Sequence, residues 1–317
     1  MDLLFELAGD NLKLATDELE CVGIVTDIAN GVAVAKVSNP DTTLRLAQTH
    51  VLMEYLGKCR GTSNDLIELL SQLKICSEYT YACRVRKIYP TIIDSSQLDL
   101  ERIMGKYIEG KVSLTSPETE YRAIFTDNQC FLGRVIYKIN RGSYSNRNPQ
   151  YKEYFHPGVM MPLMARTLVN LTHVMPNELL CDPFCGTGGL LIEGKIIGAR
   201  TVGSEYCRDI LSGCMKNIPD LAYLLADAKH LPFKNNCFDA IVTDFPYGQS
   251  TKIKAPSIDI LYEFSLKEIR RILKAGGRAV IVTHRDIRHL AKKIFNINGY
   301  YEQRVHKSLT RRILVLN

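Results

Sequence analysis

Leu179-Leu180-Cys181-Asp182-Pro183-Phe184-Cys185-Gly186-Thr187-Gly188-Gly189 reads as an apolar strand that runs into a glycine-rich turn and then a helix. Glycines serve where a backbone bends tightly and lets a ligand come close. Glu205 closes the next strand, 17 residues after Gly188, where a carboxylate can accept both hydroxyls of a ribose. Asp227 closes the third strand and is placed to receive an adenine amino group. The turn is not a dinucleotide fingerprint, because Leu190-Leu191 stand where the last glycine is needed. It lacks the Lys-Ser/Thr of a phosphate loop. Asp182 repels a pyrophosphate and suits a cation, such as a sulfonium with an amino-acid tail.

Downstream the rhythm is regular. Strands fit Glu178–Cys181, Thr201–Ser204, Ala222–Leu225, Ala240–Thr243 and Arg278–Thr283. Helices fit Gly189–Ile197, Cys207–Asn217, Ile258–Lys274 and Ile287–Asn296. This alternation predicts an α/β, doubly wound, mostly parallel sheet. Tyr300–His306 and Arg311–Leu316 break the rhythm and predict a terminal hairpin, one strand of which runs antiparallel to the rest.

Upstream, the first 140 residues are α+β. Asp10 is a candidate cap for a helix carrying Leu12, Ala15, Leu19 and Val22, and Asn64 for a helix over Asp65–Leu73. Strands fit Leu3–Ala8, Gly31–Val37, His50–Leu56, Tyr81–Tyr89, Tyr121–Phe125 and Phe131–Ile139. Arg141–Gln150 is polar, carries Gly and Pro, and is the linker candidate.

A second site follows the fourth strand, in Thr243-Asp244-Phe245-Pro246-Tyr247-Gly248. Ligands of open α/β sheets sit beyond the carboxyl ends of the strands. The exocyclic amine of a nucleobase is a poor nucleophile because its lone pair is conjugated into the ring. Asp244 and a backbone carbonyl near Phe245-Pro246 can accept its two hydrogens and turn the lone pair toward a methyl donor. Tyr247 can stack on the base, worth ~1–3 kcal/mol. The gain is positioning, with a carboxylate beside the nitrogen as it becomes cationic.

These motifs resemble those of S-adenosylmethionine-dependent amino-methyltransferases. Tyr154-Phe155-His156-Pro157-Gly158-Val159-Met160 with Ala165-Arg166, and the ending His306 to Arg312, resemble THUMP-containing RNA methyltransferases, in particular the archaeal tRNA guanosine-10 N2-methyltransferase family. The resemblance is specific over residues 151–317. It implies a Rossmann-like methyltransferase domain at 163–317 with a seven-stranded sheet, preceded by a ferredoxin-like subdomain at 1–49, a THUMP domain at 50–140 and a linker at 141–162. It implies S-adenosylmethionine, held by Phe155, His156, Pro157, Asp182, Pro183, Cys185, Gly186, Gly188, Glu205, Tyr206, Asp227, Ala228 and Asp244. It implies catalysis by Asp244, Pro246 and Tyr247, with tRNA as substrate and guanine N2 as the acceptor, methylated once or twice. The usual tetrapeptide of such enzymes is Asp/Asn-Pro-Pro-Tyr, and Phe245 departs from it.

Basic residues carry the RNA expectation: Arg84, Arg86 and Lys87 alternate with apolar neighbours, and Arg141 and Arg147 flank Tyr144. Such groups contact phosphates and set register. The target base must leave its stack to reach Tyr247. Net charge is +6 overall, divided as −6 over 1–73, +4 over 74–150 and +8 over 151–317, so the acidic end is not the expected RNA surface. Leu221-Ala222-Tyr223-Leu224-Leu225 is an apolar strand at an expected sheet edge. A small zinc-binding activator protein, as some relatives use, is the partner the resemblance suggests there.

Ten scattered cysteines form no C-x-x-C pair, so no metal site is expected and reduced buried thiols are. No stretch is long enough to span a membrane, and the start carries early acids and no basic n-region, so a cytoplasmic protein is expected. Three alternatives stay open: another tRNA or rRNA guanine, DNA adenine N6, and a non-catalytic RNA-binding protein on the same fold.

Overall fold

A computed structural model describes every residue except 9–10, 157–158, 248–256 and 307–308, together with the side chain of His306. The chain divides into two compact units, Met1–Leu44 with Gln48–Asn140, and Arg45–Ala47 with Arg141–Asn317.

The first unit is built on β1 (Asp2–Leu7), β2 (Gly23–Ala29), β3 (Val32–Val37), β4 (Thr49–Arg60), β5 (Tyr81–Thr91), β6 (Thr119–Asp127) and β7 (Gln129–Lys138). They form one sheet in the order β2-β3-β1-β4-β7-β6-β5. Among the named strands of the described residues, β5–β6 is the parallel pairing and the others are antiparallel. β4 bonds β1 on one side and β7 on the other, so residues on both sides of position 49/50 share one sheet. Helices α1 (Leu12–Leu19), α2 (Ser63–Leu73) and α3 (Gln97–Tyr107) complete the unit. α2 and α3 bury Leu66, Leu70, Leu100 and Met104 against Tyr81, Phe125 and Leu132. Burying side chains of this size is worth about 1.5–3 kcal/mol each.

Two caps differ from the sequence expectation. α1 is capped by the Asn11 side chain, which accepts from Leu14 N at 3.1 Å; Asp10 lies outside the described residues. α2 starts earlier than expected, because Thr62, and not Asn64, accepts from Asp65 N. A hydroxyl three residues before an acid forms the stronger start signal. β2 was not expected at all. Its alternation of half-buried and exposed residues is that of an edge strand, with a weak apolar period.

The second unit holds β8 (Leu179–Asp182), β9 (Arg200–Glu205), β10 (Ala222–Leu225), β11 (Phe238–Asp244), β12 (Leu273–Thr283), β13 (Ile297–His306) and β14 (Leu309–Leu316). Its sheet order is β10-β9-β8-β11-β12-β14-β13. β8 to β12 run parallel. β14 is the antiparallel strand, inserted between β12 and β13. Helices α4 (Pro162–Leu171), α5 (Gly189–Ile196), α6 (Arg208–Asn217), α7 (Ile258–Ile272) and α8 (Arg288–Ala291) accompany it. α8 is only one turn of the longer helix expected over 287–296.

Residues 141–151, within the expected linker, are packed. They form two short 3-10 turns, and Tyr144 is buried. The Arg147 guanidinium lies 4.7 Å over the Tyr144 ring and donates to Glu193 at 2.7 Å. Arg166 of α4 meets the same buried carboxylate at 2.8 Å. Polar composition suggested a tether; the partners that bury it lie 20 to 50 residues away.

Candidate active site

β8 carries Asp182 to the carboxyl end of the sheet. The buried carboxylate accepts from Thr243 Oγ1 at 2.7 Å and from Phe184 N at 3.1 Å. Burial pushes its pKa up to about 7; those hydrogen bonds oppose the rise, and the charges of Asp244 and Glu205 add to it. Past Pro183 the chain turns. Cys185 N bonds Ser204 O at 3.0 Å, and Gly188 N bonds Cys185 O at 2.8 Å. Gly186 has φ +51 and Gly188 φ +83, the left-handed region that favours glycine. A Cβ on Gly186 would meet nothing nearer than Phe184 O at 3.9 Å, so this side of the turn is open to a ligand. A Cβ on Gly188 would strike Ile218 and Cys214.

Glu205 faces the turn. One carboxylate oxygen accepts from Gly186 N at 3.2 Å and the other from Cys207 N at 3.0 Å. Each oxygen keeps a lone pair for a diol. Ala226 N bonds Glu205 O at 3.1 Å, which sets Asp227 and Ala228 beside it. Asp227 accepts from Lys229 N at 3.0 Å, and the Lys229 ammonium sits 3.5 Å from its other oxygen. Tyr206 and Phe155 are exposed, and Pro157 lies outside the described residues.

Asn217 was not singled out from sequence. Its side chain accepts from Tyr154 N at 3.0 Å and donates to Tyr154 O at 3.0 Å and Thr187 O at 3.2 Å. It thereby ties the segment bearing Phe155 and His156 to the glycine turn. The Tyr154 ring occupies the place a Cβ on Gly213 would take. A glycine inside a helix costs about 1 kcal/mol, and Gly213 was the available signal of a close approach.

The second loop follows β11, which pairs with β8. The Tyr247 hydroxyl donates to Asp244 Oδ1 at 2.8 Å. Burial pushes Asp244 up to about 6, against the opposing influence of Arg311 and the Tyr247 hydroxyl. Arg311, from β14, is buried and was not singled out from sequence. The ring of His284, just past β12, lies 5.0 Å from that of Tyr247.

Phe245 now has a physical account. Its N–H donates to Val282 O at 2.9 Å, a bond proline cannot make. Its ring is 1% exposed and sits 5.2 Å from Phe184 and 4.9 Å from Tyr262. The Tyr262 hydroxyl donates to Pro246 O at 2.7 Å. The rigidity that a second proline provides elsewhere comes here from a hydrogen bond and an aromatic stack.

Most of the basic residues read from sequence have partners within their own unit. Arg147 is committed to Glu193. Arg84 donates to Cys83 O and Leu114 O, and Lys87 to Ser95 O at 2.5 Å. Arg86 is 61% exposed in its side chain, with Glu6 3.6 Å away. Arg141 is partly buried in the first 3-10 turn. Alternation along a strand predicts which face a cation takes and says nothing of the carbonyls waiting there.

Among the described residues no helix is long and apolar enough to cross a membrane. Residues 149–217 and 220–313 match the family described as UPF0020, RMKL-like, methyltransferase domain. The chain is 31% identical to the tRNA (guanine(10)-N2)-dimethyltransferase of Methanothermobacter thermautotrophicus, over 100% of this chain and 99% of that protein. It is 32% identical to the protein of that name from Methanocaldococcus jannaschii, over 79% of this chain and 74% of the relative. In fold it is similar to the crystal structure of TrmN from Thermus thermophilus, with a TM-score of 0.54 at 18% identity, covering 100% of this chain and 99% of the other.

Proposed function

Because this chain belongs to the RMKL-like methyltransferase-domain family, we propose that it methylates the exocyclic N2 of guanosine 10 in tRNA, with S-adenosylmethionine as the methyl donor. The observation that carries the reading is the pair of loops at the ends of β8 and β11: a glycine turn faced by a fixed Glu205, next to Asp244 bonded to Tyr247.

The residues fit the cofactor. Gly186 leaves open space where a side chain would stand, and Glu205, Asp227 and Asp182 offer the acceptors for a ribose, an adenine amine and a cationic tail. Phe155, His156, Pro157, Pro183, Cys185, Gly188, Tyr206 and Ala228 complete that set. S-adenosylmethionine supplies an electrophilic methyl group.

The chain's own work is on the amine. Asp244 accepts one hydrogen of N2. A backbone carbonyl of Phe245-Pro246 takes the other, and the Tyr262 hydroxyl, donating to Pro246 O, holds that segment in place. With both hydrogens held, the lone pair is turned out of conjugation and fixed in direction. Tyr247, its hydroxyl tied to Asp244, presents its ring to the base. As the nitrogen becomes cationic, the Asp244 carboxylate stabilises it in a buried, weakly screened place. The proton then leaves to water. N2-methylguanine keeps one hydrogen for Asp244, so a second transfer uses the same loop.

The first unit supplies the tRNA contacts, as a ferredoxin-like piece at 1–49 and a THUMP piece at 50–140, joined by 141–162 to the catalytic domain at 163–317. Arg86 is its most exposed candidate; a tRNA substrate is in keeping with action in the cytoplasm. β10 is the outer strand of its sheet, pairing only with β9, and Leu225 is 47% exposed. A small zinc-binding activator adding a strand along Leu221–Leu225 fits this edge. Leu224→Lys should then abolish a co-purifying complex; an unchanged complex would remove this edge as the docking site.

The deciding experiment incubates the protein with labelled cofactor and unmodified tRNA transcripts, followed by mapping of the label and mass analysis of the nucleoside. Label at guanosine 10 as N2-methyl or N2,N2-dimethylguanosine is expected. Label at another nucleotide would replace the substrate, and cofactor binding without any transfer would replace the activity.

A further inference from the structure

β11 and β12 are parallel neighbours, with Asp244 opposite Val282. The residues that follow each strand therefore emerge side by side at the ligand end of the sheet. Phe245-Pro246-Tyr247 leave β11, and His284-Arg285 leave β12. The His284 and Tyr247 rings stand 5.0 Å apart at 41°. His284 is held from behind, because Arg312 Nη1 donates to its carbonyl at 2.5 Å. Its Nδ1 is buried with no hydrogen-bond partner among the described residues. Burial, and then the charges of Arg285 and Arg312, lower its pKa and favour the neutral ring. A neutral ring offers Tyr247 a stacking surface and leaves charge recognition to its neighbour.

That neighbour is Arg285. Its side chain is 52% exposed, and its ion pair is with Asp259, itself 62% exposed, at 3.6 Å. An exposed pair at that distance contributes little and exchanges readily for a better anion. The other arginines of this rim are committed. Arg288 makes short bonds to Asp286 at 2.6 Å and lies 4.2 Å over the Tyr300 ring. Arg312 is held by His284 O and, at 3.2 Å, by Glu302.

We propose that His284 and Arg285 form an RNA subsite beside the catalytic loop, in which His284 backs the face of Tyr247 turned away from the base and Arg285 binds the backbone phosphate of the everted nucleotide. A base turned out of its stack carries its own phosphate with it, and a planar guanidinium can take two of that phosphate's oxygens. The subsite rests on the RNA-methyltransferase reading above.

The test compares Arg285→Gln, Arg285→Lys and Arg288→Gln with wild type, measuring KM for a tRNA transcript and for the cofactor across a salt series. Arg285→Gln should raise KM for tRNA about tenfold, as loss of one charged hydrogen-bonding contact does. It should lower the salt slope of tRNA binding by about 1 and leave the cofactor KM unchanged. Arg285→Lys should retain part of the affinity, and Arg288→Gln should match wild type. A wild-type KM and slope in Arg285→Gln, or an equal loss in Arg288→Gln, would overturn the subsite. If wild type transfers no methyl group to any tRNA, the functional reading falls by itself. The subsite is then judged by filter binding of tRNA to the same variants, where equal retention by Arg285→Gln and wild type overturns it.

Discussion

The Tyr247 hydroxyl donates to Asp244 Oδ1 at 2.8 Å, so the two side chains proposed to hold the base and its amine fix each other. Asp244→Asn removes the charge and places an amide where an acceptor is needed. It should lower the rate of transfer at saturating substrate by about 10²–10³, the range for losing one preorganised transition-state contact. Tyr247→Phe keeps the ring and frees Asp244, and should cost about tenfold. Cofactor affinity, measured by calorimetry, should stay close to wild type in both. Wild-type turnover in Asp244→Asn would remove its assigned role.

The Arg311 guanidinium opposes the rise that burial imposes on that carboxylate. Burial raises Asp244 to about 6, and Arg311 is the largest influence holding it down. The ionised form is the hydrogen acceptor, so transfer should fall as pH drops through about 6. Arg311→Gln removes the opposing charge, and the acidic limb of the pH–rate profile should move upward. Arg311→Lys should restore part of the shift. A limb that stays in place in Arg311→Gln would show that Arg311 supports the hairpin alone.

Asp182 links stability to pH with a definite sign. Its folded pKa, about 7, is above the 3.8 of an ordinary aspartate, so between those values the folded state holds a proton the unfolded chain has released. The associated stability is full below about 4 and is lost as pH rises through about 7. Asp182→Asn cannot ionise and keeps an oxygen for Thr243 and Phe184. Its melting temperature relative to wild type should therefore be more favourable at pH 8 than at pH 5, while cofactor affinity drops. A pH-independent difference in thermal melts would contradict the burial of an ionisable Asp182.

The parts of the site visible in sequence were those that lie along one stretch of chain. Asp182 to Gly188 and Asp244 to Tyr247 each sit in a strand–turn whose period and glycines are local, and both turned up at the ends of paired strands. Arg311, Tyr262 and Asn217 act on residues 16 to 67 positions away, and their own neighbourhood does not say which. The same limit hid the anionic partner of Arg147, which lies on α5. Fold was legible further than site, because strand–helix alternation over β8 to α7 is a repeated local signal. β2 lacked it, being an edge strand with exposed Ile24 and Ile28.

Restoring the commoner tetrapeptide should harm this protein. Phe245→Pro removes the N–H that bonds Val282 O at 2.9 Å and the ring between Phe184 and Tyr262. Large-to-small changes at buried aromatics cost ~3–5 kcal/mol, and a lost buried hydrogen bond adds to that. Both melting temperature and transfer rate should fall, whereas Phe245→Leu, which keeps the N–H, should lose less of each. A fully active and stable Phe245→Pro would mean that the loop is held by proline stiffness after all.

Arg147 and Arg86 were expected to act alike on RNA, and their surroundings separate them. Arg147 donates to Glu193, which is 1% exposed, and covers the Tyr144 ring. Arg147→Ala leaves Glu193 with Arg166 as its remaining cation, so the loss should be about 1–3 kcal/mol of stability. The salt dependence of tRNA binding should not change, because no phosphate contact is lost. Arg86 is mostly exposed and loosely paired, so Arg86→Ala should leave the stability within about 0.5 kcal/mol of wild type. If Arg86 meets a phosphate, the same variant lowers the salt slope by about 1. Thermal melts and salt-dependent binding on the two variants give opposite patterns if the assignments are right. A reduced salt slope in Arg147→Ala would return that residue to the RNA surface.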